Sequence, residues 1–270
     1  MKLVILNGFD RSGTSYIGGL LSRHPRINYF FQPFSGTEVH RSQYEVWDEN
    51  TEAPVDEGFI ERLQRGRIDW DYLASDWFKR YSQYAFPACG RAGLIKETKL
   101  HTKVRWLKQR FPEIPVYGIW RDPRAVLCSL VRNGFHEKWY GASALENTRR
   151  LIATEDSLSG FRPFCDERID AVQSMALVMA VRSELFAENM DPDKWIIYEQ
   201  VLDNPDYYLN RFCRKIGLTE YSFSEYSRQN YNASGLPFTK PDLWKDYFNK
   251  NEVDRIDRIF GSMKNVANAA

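Results

Sequence analysis

Short apolar runs alternate with helix-spaced apolar patterns along most of this 270-residue chain. The runs lie at residues 3–6, 29–31, 94–95, 116–120 and 195–199. They are rich in β-branched and aromatic residues, as strands buried in a parallel sheet are. Strands that alternate with helices are typical of a sheet covered on both faces. The pattern therefore predicts an α/β fold in three layers, with a central, mostly parallel sheet flanked by helices.

Three further helices follow from the spacing of apolar residues, and they are predicted over residues 104–111, 170–189 and 252–263. Residues 35–93 form a mixed insertion between the first strand–helix units. Such an insertion lies near the carboxyl ends of the strands, where α/β proteins bind ligands, and we expect it to cover the ligand site. No repeat or linker requires a second domain, so a single domain is predicted over residues 1–270.

Composition narrows the function classes. Hydrophobic residues make up 43% of the chain and the net charge is +1. A nearly neutral chain is unsuited to coating nucleic acid or to anchoring on a membrane through a polybasic patch, so neither partner is expected. No apolar run is long enough to span a bilayer. The sequence does not indicate an oligomeric state.

The amino-terminal residues and the cysteines bear on the compartment. The first residues already form a predicted strand, so no signal peptide is expected. The four cysteines have neither disulfide-like nor zinc-like spacing, which favours a reducing cytoplasm and predicts no metal site. The same 270 residues are also expected for a protein whose membrane anchor lies outside them.

The turn after the first strand carries the most specific chemistry. It reads Gly8-Phe9-Asp10-Arg11-Ser12-Gly13-Thr14-Ser15 and is called the anion loop below. Backbone N–H groups of such a turn converge on an anion, and the following helix adds its positive end. Two glycines around four residues resemble a nucleotide P-loop, but Thr14 stands where that motif has lysine, and the cation is Arg11. The alternative is an ordinary turn with Ser and Thr capping the helix.

A second anion motif follows the fourth apolar run. Arg121 stands at the end of that strand, and Asp122 with Pro123 favours the start of a helix. Ser129 lies eight residues after Arg121, just over two helical turns, so both side chains can face one groove. Arginine and serine that converge suit a phosphate dianion. The alternative is a plain strand–helix junction with an Arg–Asp pair.

Together the two motifs resemble those of sulfotransferases, which use 3′-phosphoadenosine 5′-phosphosulfate (PAPS). The anion loop resembles their 5′-phosphosulfate loop, and Arg121 with Ser129 resembles their 3′-phosphate motif. A third segment, which begins at Tyr198, resembles the one that places a tyrosine near the adenine. Residues 227–241 resemble the loop that closes over the nucleotide, with Arg228 and Lys240 as candidate contacts. The resemblance implies a PAPS site at Arg11, Ser12, Gly13, Thr14, Ser15, Arg121, Ser129, Tyr198 and Lys240.

The resemblance also implies a reaction, in which a sulfuryl group moves from PAPS to an acceptor hydroxyl and leaves adenosine 3′,5′-bisphosphate, without a metal. Arg11 would stabilise charge on the sulfuryl group, and Glu97 or His101, at the end of the third strand, would take the hydroxyl proton. The alternative for these two is a solvated strand end. Carbohydrate sulfotransferases often have Glu-Pro after the second strand, where Gln32 stands here, so a carbohydrate or a small natural product is the expected acceptor.

Two other functions remain open at this point. The first is a P-loop small-molecule kinase that uses ATP and magnesium. The second is a module that binds PAPS or adenosine 3′,5′-bisphosphate but has no catalytic base.

Overall fold

The computed structural model of the protein describes residues 1–35, 37–52, 57–65, 91–227 and 241–265. The strands of its sheet are β1 (Lys2–Asn7), β2 (Ile27–Phe31), β3 (Ala92–Glu97), β4 (Val116–Trp120) and β5 (Trp195–Ile197). Within the described ranges they form one five-stranded sheet in the order β2-β3-β1-β4-β5. Every adjacent pair is parallel. The predicted α/β class with a central parallel sheet is confirmed.

Helices connect the strands. They are α1 (Thr14–Leu21), α2 (Glu38–Arg41), α3 (Glu57–Gln64), α4 (Val104–Arg110), α5 (Pro123–Arg132), α6 (Phe135–Lys138), α7 (Ala142–Thr154), α8 (Pro163–Asp166), α9 (Ala171–Glu188), α10 (Tyr198–Asp203), α11 (Pro205–Lys215), α12 (Ser224–Ser227), α13 (Trp244–Tyr247) and α14 (Lys250–Phe260). Short 3₁₀ turns cover Asp156–Phe161, Pro192–Lys194 and Pro241–Leu243. Within the described part of the chain, no helix is both long and apolar enough to cross a membrane.

Both faces of the sheet are buried because successive side chains of a strand point to opposite sides. In β1, Val4 and Leu6 pack in a cluster with residues of α1 and α11. Leu3 and Ile5 pack in another cluster with residues of α4. Helices therefore cover the sheet from two sides, and the strand ends are the places where a polar ligand can reach the backbone.

The sheet order places a ligand site at the end of β1. The chain runs from β1 to β2 and β3 on one side, and β4 and β5 lie on the other side. A crevice opens outside the carboxyl ends of parallel strands where the order reverses in this way. Here that switch point lies between β1 and β4, which pair from Ile5 with Val116 to Asn7 with Gly118.

The ends of β5 and of the long helix α9 can be compared with their predicted positions. The predicted strand over 195–199 ends at Ile197, and Tyr198 is the first residue of α10. The long helix predicted over 170–189 is α9, and Asp170 caps it by accepting the N–H of Gln173. Because a helix follows β5 immediately, Tyr198 is directed at the anion loop and not along the sheet.

The described start of the insertion is held by a buried lysine. Lys103 has 0% exposure and donates from Nζ to the carbonyls of Ser42 and Glu45, at 2.7 and 3.1 Å. Its ammonium also lies 4.5 Å from the ring centroid of Trp47. Residues 42–47 therefore form a strap over the turn between β3 and α4. Most of the remaining insertion, residues 66–90, lies outside the described residues, so the expectation that it covers a ligand stays a prediction.

Gly118 of β4 allows the Trp195 ring to lie against the strand. A Cβ at this position would come within 2.5 Å of Trp195 Cζ3. We expect Gly118→Ala to reduce the free energy of unfolding by about 1–3 kcal/mol, because the added methyl overpacks the core. Denaturant unfolding measures this. Gly160→Ala is the control, since its Cβ would meet its nearest atom at 3.5 Å, an ordinary contact. Equal losses in the two variants would contradict the packing argument.

Candidate functional site

The anion loop leaves β1 and turns directly into α1. Its turn is closed by the N–H of Ser12, which donates to the carbonyl of Phe9 at 3.0 Å. Two of its residues have positive φ, Arg11 at 69° and Gly13 at 94°. The left-handed conformation is unfavourable for arginine and persists only where the surroundings hold it. A loop of this shape with a helix N-terminus behind it can bind an anion.

Tyr198 lies against the anion loop. A Cβ on Gly13 would come within 2.2 Å of the Tyr198 ring, which shows how closely the ring covers the backbone. Tyr198 is 1% exposed, and burial raises the pKa of its hydroxyl to about 12. The ring therefore supports the loop. The contact between Tyr198 and an adenine stays a prediction.

The second motif meets the first at this point. Asp122 caps α5 by accepting the N–H of Arg124 at 2.8 Å, as the sequence predicts. Arg121 Nη1 donates to the carbonyl of Arg11 at 3.0 Å, and Arg11 Nε donates to Ser129 Oγ at 3.0 Å. Two segments more than a hundred residues apart thus bring two guanidinium groups and a serine hydroxyl together. Their roles in binding phosphate stay predictions.

The Tyr198 ring also supports Arg121, whose Cζ lies 4.5 Å from the ring centroid. Arg121 is 5% exposed, so its guanidinium is held on one side by an aromatic face and on the other by the backbone of the anion loop. Such a fixed, largely desolvated guanidinium is well suited to recognise a phosphate.

The polar residues at the end of β3 are buried. Exposure is 2% for Lys96, 0% for Glu97, 7% for Lys99 and 2% for His101. The alternative of a solvated strand end is therefore wrong. Burying so many ionisable groups in one place costs stability unless each is paired or used, and this is typical of functional sites.

Glu97 is held by one oxygen only. Its Oε1 accepts the N–H of Phe34 at 2.9 Å, whereas Oε2 has no hydrogen-bond partner among the described residues. Burial raises the pKa of this carboxyl from 4.5 to about 7. A carboxyl with a pKa near neutrality and one unused oxygen can exchange a proton at physiological pH.

Gln32 stabilises the neighbouring turn. It has a φ of 46°, and its Nε2 donates to Thr98 Oγ1 at 2.9 Å. Its backbone N–H donates to the carbonyl of Lys96. The amide therefore ties the end of β2 to β3 and supplies no acid.

His101 is less suited to accept a proton. Its Nδ1 lies 3.0 Å from Arg182 Nη2, and arginine can only donate. The ring is packed against Phe9 and Phe186, and burial lowers the pKa of the imidazole well below its ordinary value. One lone pair is thus already used by a cation. Between the two base candidates, the geometry favours Glu97.

Lys96 is a candidate that the sequence analysis did not select. Its ammonium lies 4.3 Å from the Phe31 ring centroid and has no hydrogen bond or ion pair with any described residue. Burial lowers the pKa of this amine to about 8, and the negative charges of Asp10 and Glu97 oppose that decrease. Because the ammonium hydrogen-bonds to no described residue, its N–H groups can still bind an anion. The only signal for this role in the sequence is that Lys96 lies one residue before the end of β3, near the expected ligand site.

A cavity adjoins the anion loop on the side of α9. It is small, about 20 Å³, and is lined by Ser12, Arg121, His101 and apolar residues such as Phe186. Ser12 is 3% exposed, and its hydroxyl has no partner among the described residues. Arg228 and Lys240 lie outside the described residues. Within the described ranges, no group of three His, Cys, Asp or Glu side chains could hold a metal ion.

No protein-family model matches the chain, and no curated protein sequence matches it either. Among the solved structures that are similar to it, three cover nearly its whole length. The sulfotransferase domain from the curacin biosynthetic pathway is 13% identical with a TM-score of 0.46, covering 98% of this chain and 92% of that chain.

The other two are a sulfotransferase from Alicyclobacillus acidocaldarius and the sulfotransferase domain from the Synechococcus PCC 7002 olefin synthase. The first is 14% identical with a TM-score of 0.43, covering 100% of this chain and 98% of that chain. The second is 13% identical with a TM-score of 0.49, covering 95% of this chain and 93% of that chain.

The raised pKa of Glu97 predicts a pH-dependent stability. In the folded state Glu97 binds a proton more tightly than in the unfolded chain, so its contribution is complete below about pH 4.5 and is lost as pH rises through about 7. Glu97→Gln should remove a decline in unfolding free energy of up to about 3 kcal/mol across this window. Denaturant unfolding at several pH values measures it. The control is Glu146→Gln, an exposed carboxyl paired with Arg150. If the free energy of unfolding changes with pH in the same way in wild type and in Glu97→Gln, the raised pKa of Glu97 is contradicted.

Proposed function

We propose that the protein is a sulfotransferase that moves a sulfuryl group from PAPS to an acceptor hydroxyl. The single observation that supports this most is the convergence of Arg11, Ser129 and Arg121 at the carboxyl end of β1. An anion site on one side of the crevice thus adjoins a second set of phosphate-binding groups. A nucleotide with phosphates on both the 5′ and the 3′ position matches this arrangement.

The residues present fit such a nucleotide. Gly8 and Gly13 keep the anion loop compact: a Cβ on Gly8 would come within 2.7 Å of Ser12 Oγ. The Ser12 hydroxyl, which has no hydrogen-bond partner among the residues that the structure describes, and the Lys96 ammonium can both bind an anion. In this proposal the loop N–H groups with Arg11 and Lys96 hold the 5′ phosphosulfate. Arg121 and Ser129 hold the 3′ phosphate.

PAPS would supply an activated sulfuryl group, whose transfer spreads negative charge over its oxygens as phosphoryl transfer does. The protein contributes mainly position and fixed positive charge. Arg11 is held in place by its bond to Ser129 and by the Arg121 contact with its carbonyl. The proton of the acceptor hydroxyl passes to Glu97 Oε2.

Two observations favour this donor over a magnesium nucleoside triphosphate. Thr14 occupies the position of the P-loop lysine. The loop carboxylate of Asp10 is bound by Lys99 Nζ at 2.6 Å, so it is already engaged. The acceptor class remains the sequence-based expectation, a carbohydrate or a small natural product, and the oligomeric state is open.

Arg121→Ala should weaken the binding of adenosine 3′,5′-bisphosphate by roughly 2 kcal/mol or more, because a desolvated charged contact is lost. Adenosine 5′-phosphate, which has no 3′ phosphate, should lose less affinity than adenosine 3′,5′-bisphosphate, because for this ligand Arg121 acts only by holding the carbonyl of Arg11. Isothermal titration calorimetry measures both ligands. Arg150→Ala is the control, since its side chain is 72% exposed and outside the site. Unchanged affinity in Arg121→Ala, with a normal melting temperature, would reject the 3′-phosphate role.

The base assignment predicts different rates for two variants. Glu97→Gln should lower the rate of sulfate transfer from labelled PAPS by about 100-fold or more, the usual effect of losing a general base. His101→Ala should lose less, because Arg182 already engages its Nδ1. A screen of sugar and phenol acceptors provides the assay. If both variants retain the full rate, neither residue is the base. If the wild-type protein instead transfers phosphate from ATP in the presence of magnesium, it is a kinase and the proposed function is wrong.

A further inference from the structure

The anion loop contains a carboxylate, which is unexpected where an anion binds. Asp10 lies between Phe9 and Arg11. Its Oδ2 accepts from Lys99 Nζ at 2.6 Å and from the Tyr140 hydroxyl. Lys99 Nζ also donates to the Tyr140 oxygen at 2.8 Å. The three side chains form a closed triangle in which the tyrosine donates one bond and accepts another, as a hydroxyl can.

The triangle is largely buried. Lys99 is 7% exposed, Tyr140 is 1% exposed and the Asp10 side chain is 19% exposed. Burial opposes the ionised carboxylate, but the Lys99 charge and the two hydrogen bonds outweigh it and lower the pKa of Asp10 below its ordinary value. Burial and the Asp10 charge raise the pKa of Tyr140 well above 10, and burial lowers the pKa of the Lys99 amine while the Asp10 charge opposes that decrease. Asp10 is therefore an ionised carboxylate at physiological pH, bound by the lysine and by the tyrosine hydroxyl.

The residue before Asp10 is held by the same elements. The Phe9 ring stacks on Tyr140 with centroids 5.4 Å apart and an interplanar angle of 29°. The guanidinium of Arg182 also packs on Phe9, with Cζ 4.9 Å from the centroid of the Phe9 ring. Two consecutive loop residues are thus fixed immediately before Arg11, whose φ of 69° needs such support.

We propose that Lys99 and Tyr140 are positioning residues for the anion loop, acting through Asp10. Lys99 comes from the exit of β3, and Tyr140 from the segment between α6 and α7. They hold the loop in the shape that presents Arg11 and the loop N–H groups to an anion. Lys99 also balances the Asp10 charge, so the carboxylate does not repel the ligand. Only the identity of that ligand rests on the proposed function.

Tyr140→Phe removes the hydroxyl and keeps the ring on Phe9. We expect hydrogen exchange at the Ser12 amide, which donates to Phe9, to be about tenfold faster, as for a lost hydrogen bond to a charged group. The affinity for adenosine 3′,5′-bisphosphate should fall by a similar factor. Tyr207→Phe, at a residue that is 56% exposed, is the control. A wild-type exchange rate at Ser12 in Tyr140→Phe would overturn the proposal.

A single and a double variant distinguish the two effects of Lys99, which are to hold the loop in position and to balance the charge of Asp10. Lys99→Met leaves Asp10 buried without its cation, and we expect lower melting temperature, faster Ser12 exchange and weaker binding. Adding Asp10→Asn removes the unpaired charge and should restore the melting temperature but not the exchange rate or the affinity. Lys108→Met is the control, because its partner Asp191 lies at the surface. Recovery of all three properties in the double variant would show that only charge balance matters.

The two proposals fail differently. If the wild-type protein does not bind adenosine 3′,5′-bisphosphate, the proposed function is wrong. Ser12 exchange is measured without ligand, so slow exchange in wild type and fast exchange in Tyr140→Phe would still support the positioning role.

Discussion

The site depends on holding one arginine in a backbone conformation that arginine disfavours. Arg11 has a left-handed backbone, and each contact around it limits its freedom. Arg121 binds its carbonyl, Ser129 binds its guanidinium, and the Tyr198 ring covers Gly13 two residues later. The contacts come from the residue that follows β4, from α5 and from α10. The loop is therefore ordered by three parts of the chain that are distant in sequence.

This arrangement makes the fold and the chemistry inseparable. The strand order places the carboxyl ends of β1, β3 and β4 side by side, and four charged residues at these ends are buried: Lys96, Glu97, Lys99 and Arg121. Charges buried together must be paired or used. Asp10 and Lys99 are paired, whereas the Lys96 ammonium and one oxygen of Glu97 have no hydrogen-bond partner in the described part of the chain. In the proposed function these two groups would serve as a cation and a proton acceptor, which the transfer of an anionic group to a hydroxyl requires.

The supporting residues matter as much as the groups that would touch a ligand. Tyr198 supports both Gly13 and Arg121, and Gln32 ties β2 to β3 beside Glu97. These residues fix the distances between the polar groups at the strand ends before any ligand is bound. In the proposed function, preorganisation of this kind would supply much of the rate, since charge stabilisation needs donors fixed in advance.

The local features could be predicted from the sequence. The anion loop with its glycines, the Asp122 cap of α5 and the α/β class depend on residues close together in the chain. Backbone conformation and helical spacing decide such features.

Only the tertiary structure decided which ionisable groups are buried and with which partners. The Asp10 triangle joins residues 89 and 130 positions apart, and Tyr198 reaches Gly13 because β5 ends two residues earlier than its pattern predicts. The β3 end has the polar sequence of a solvated turn, yet neighbouring strands and α9 enclose it. Burial and pairing over such separations depend on chain topology, which no local pattern encodes.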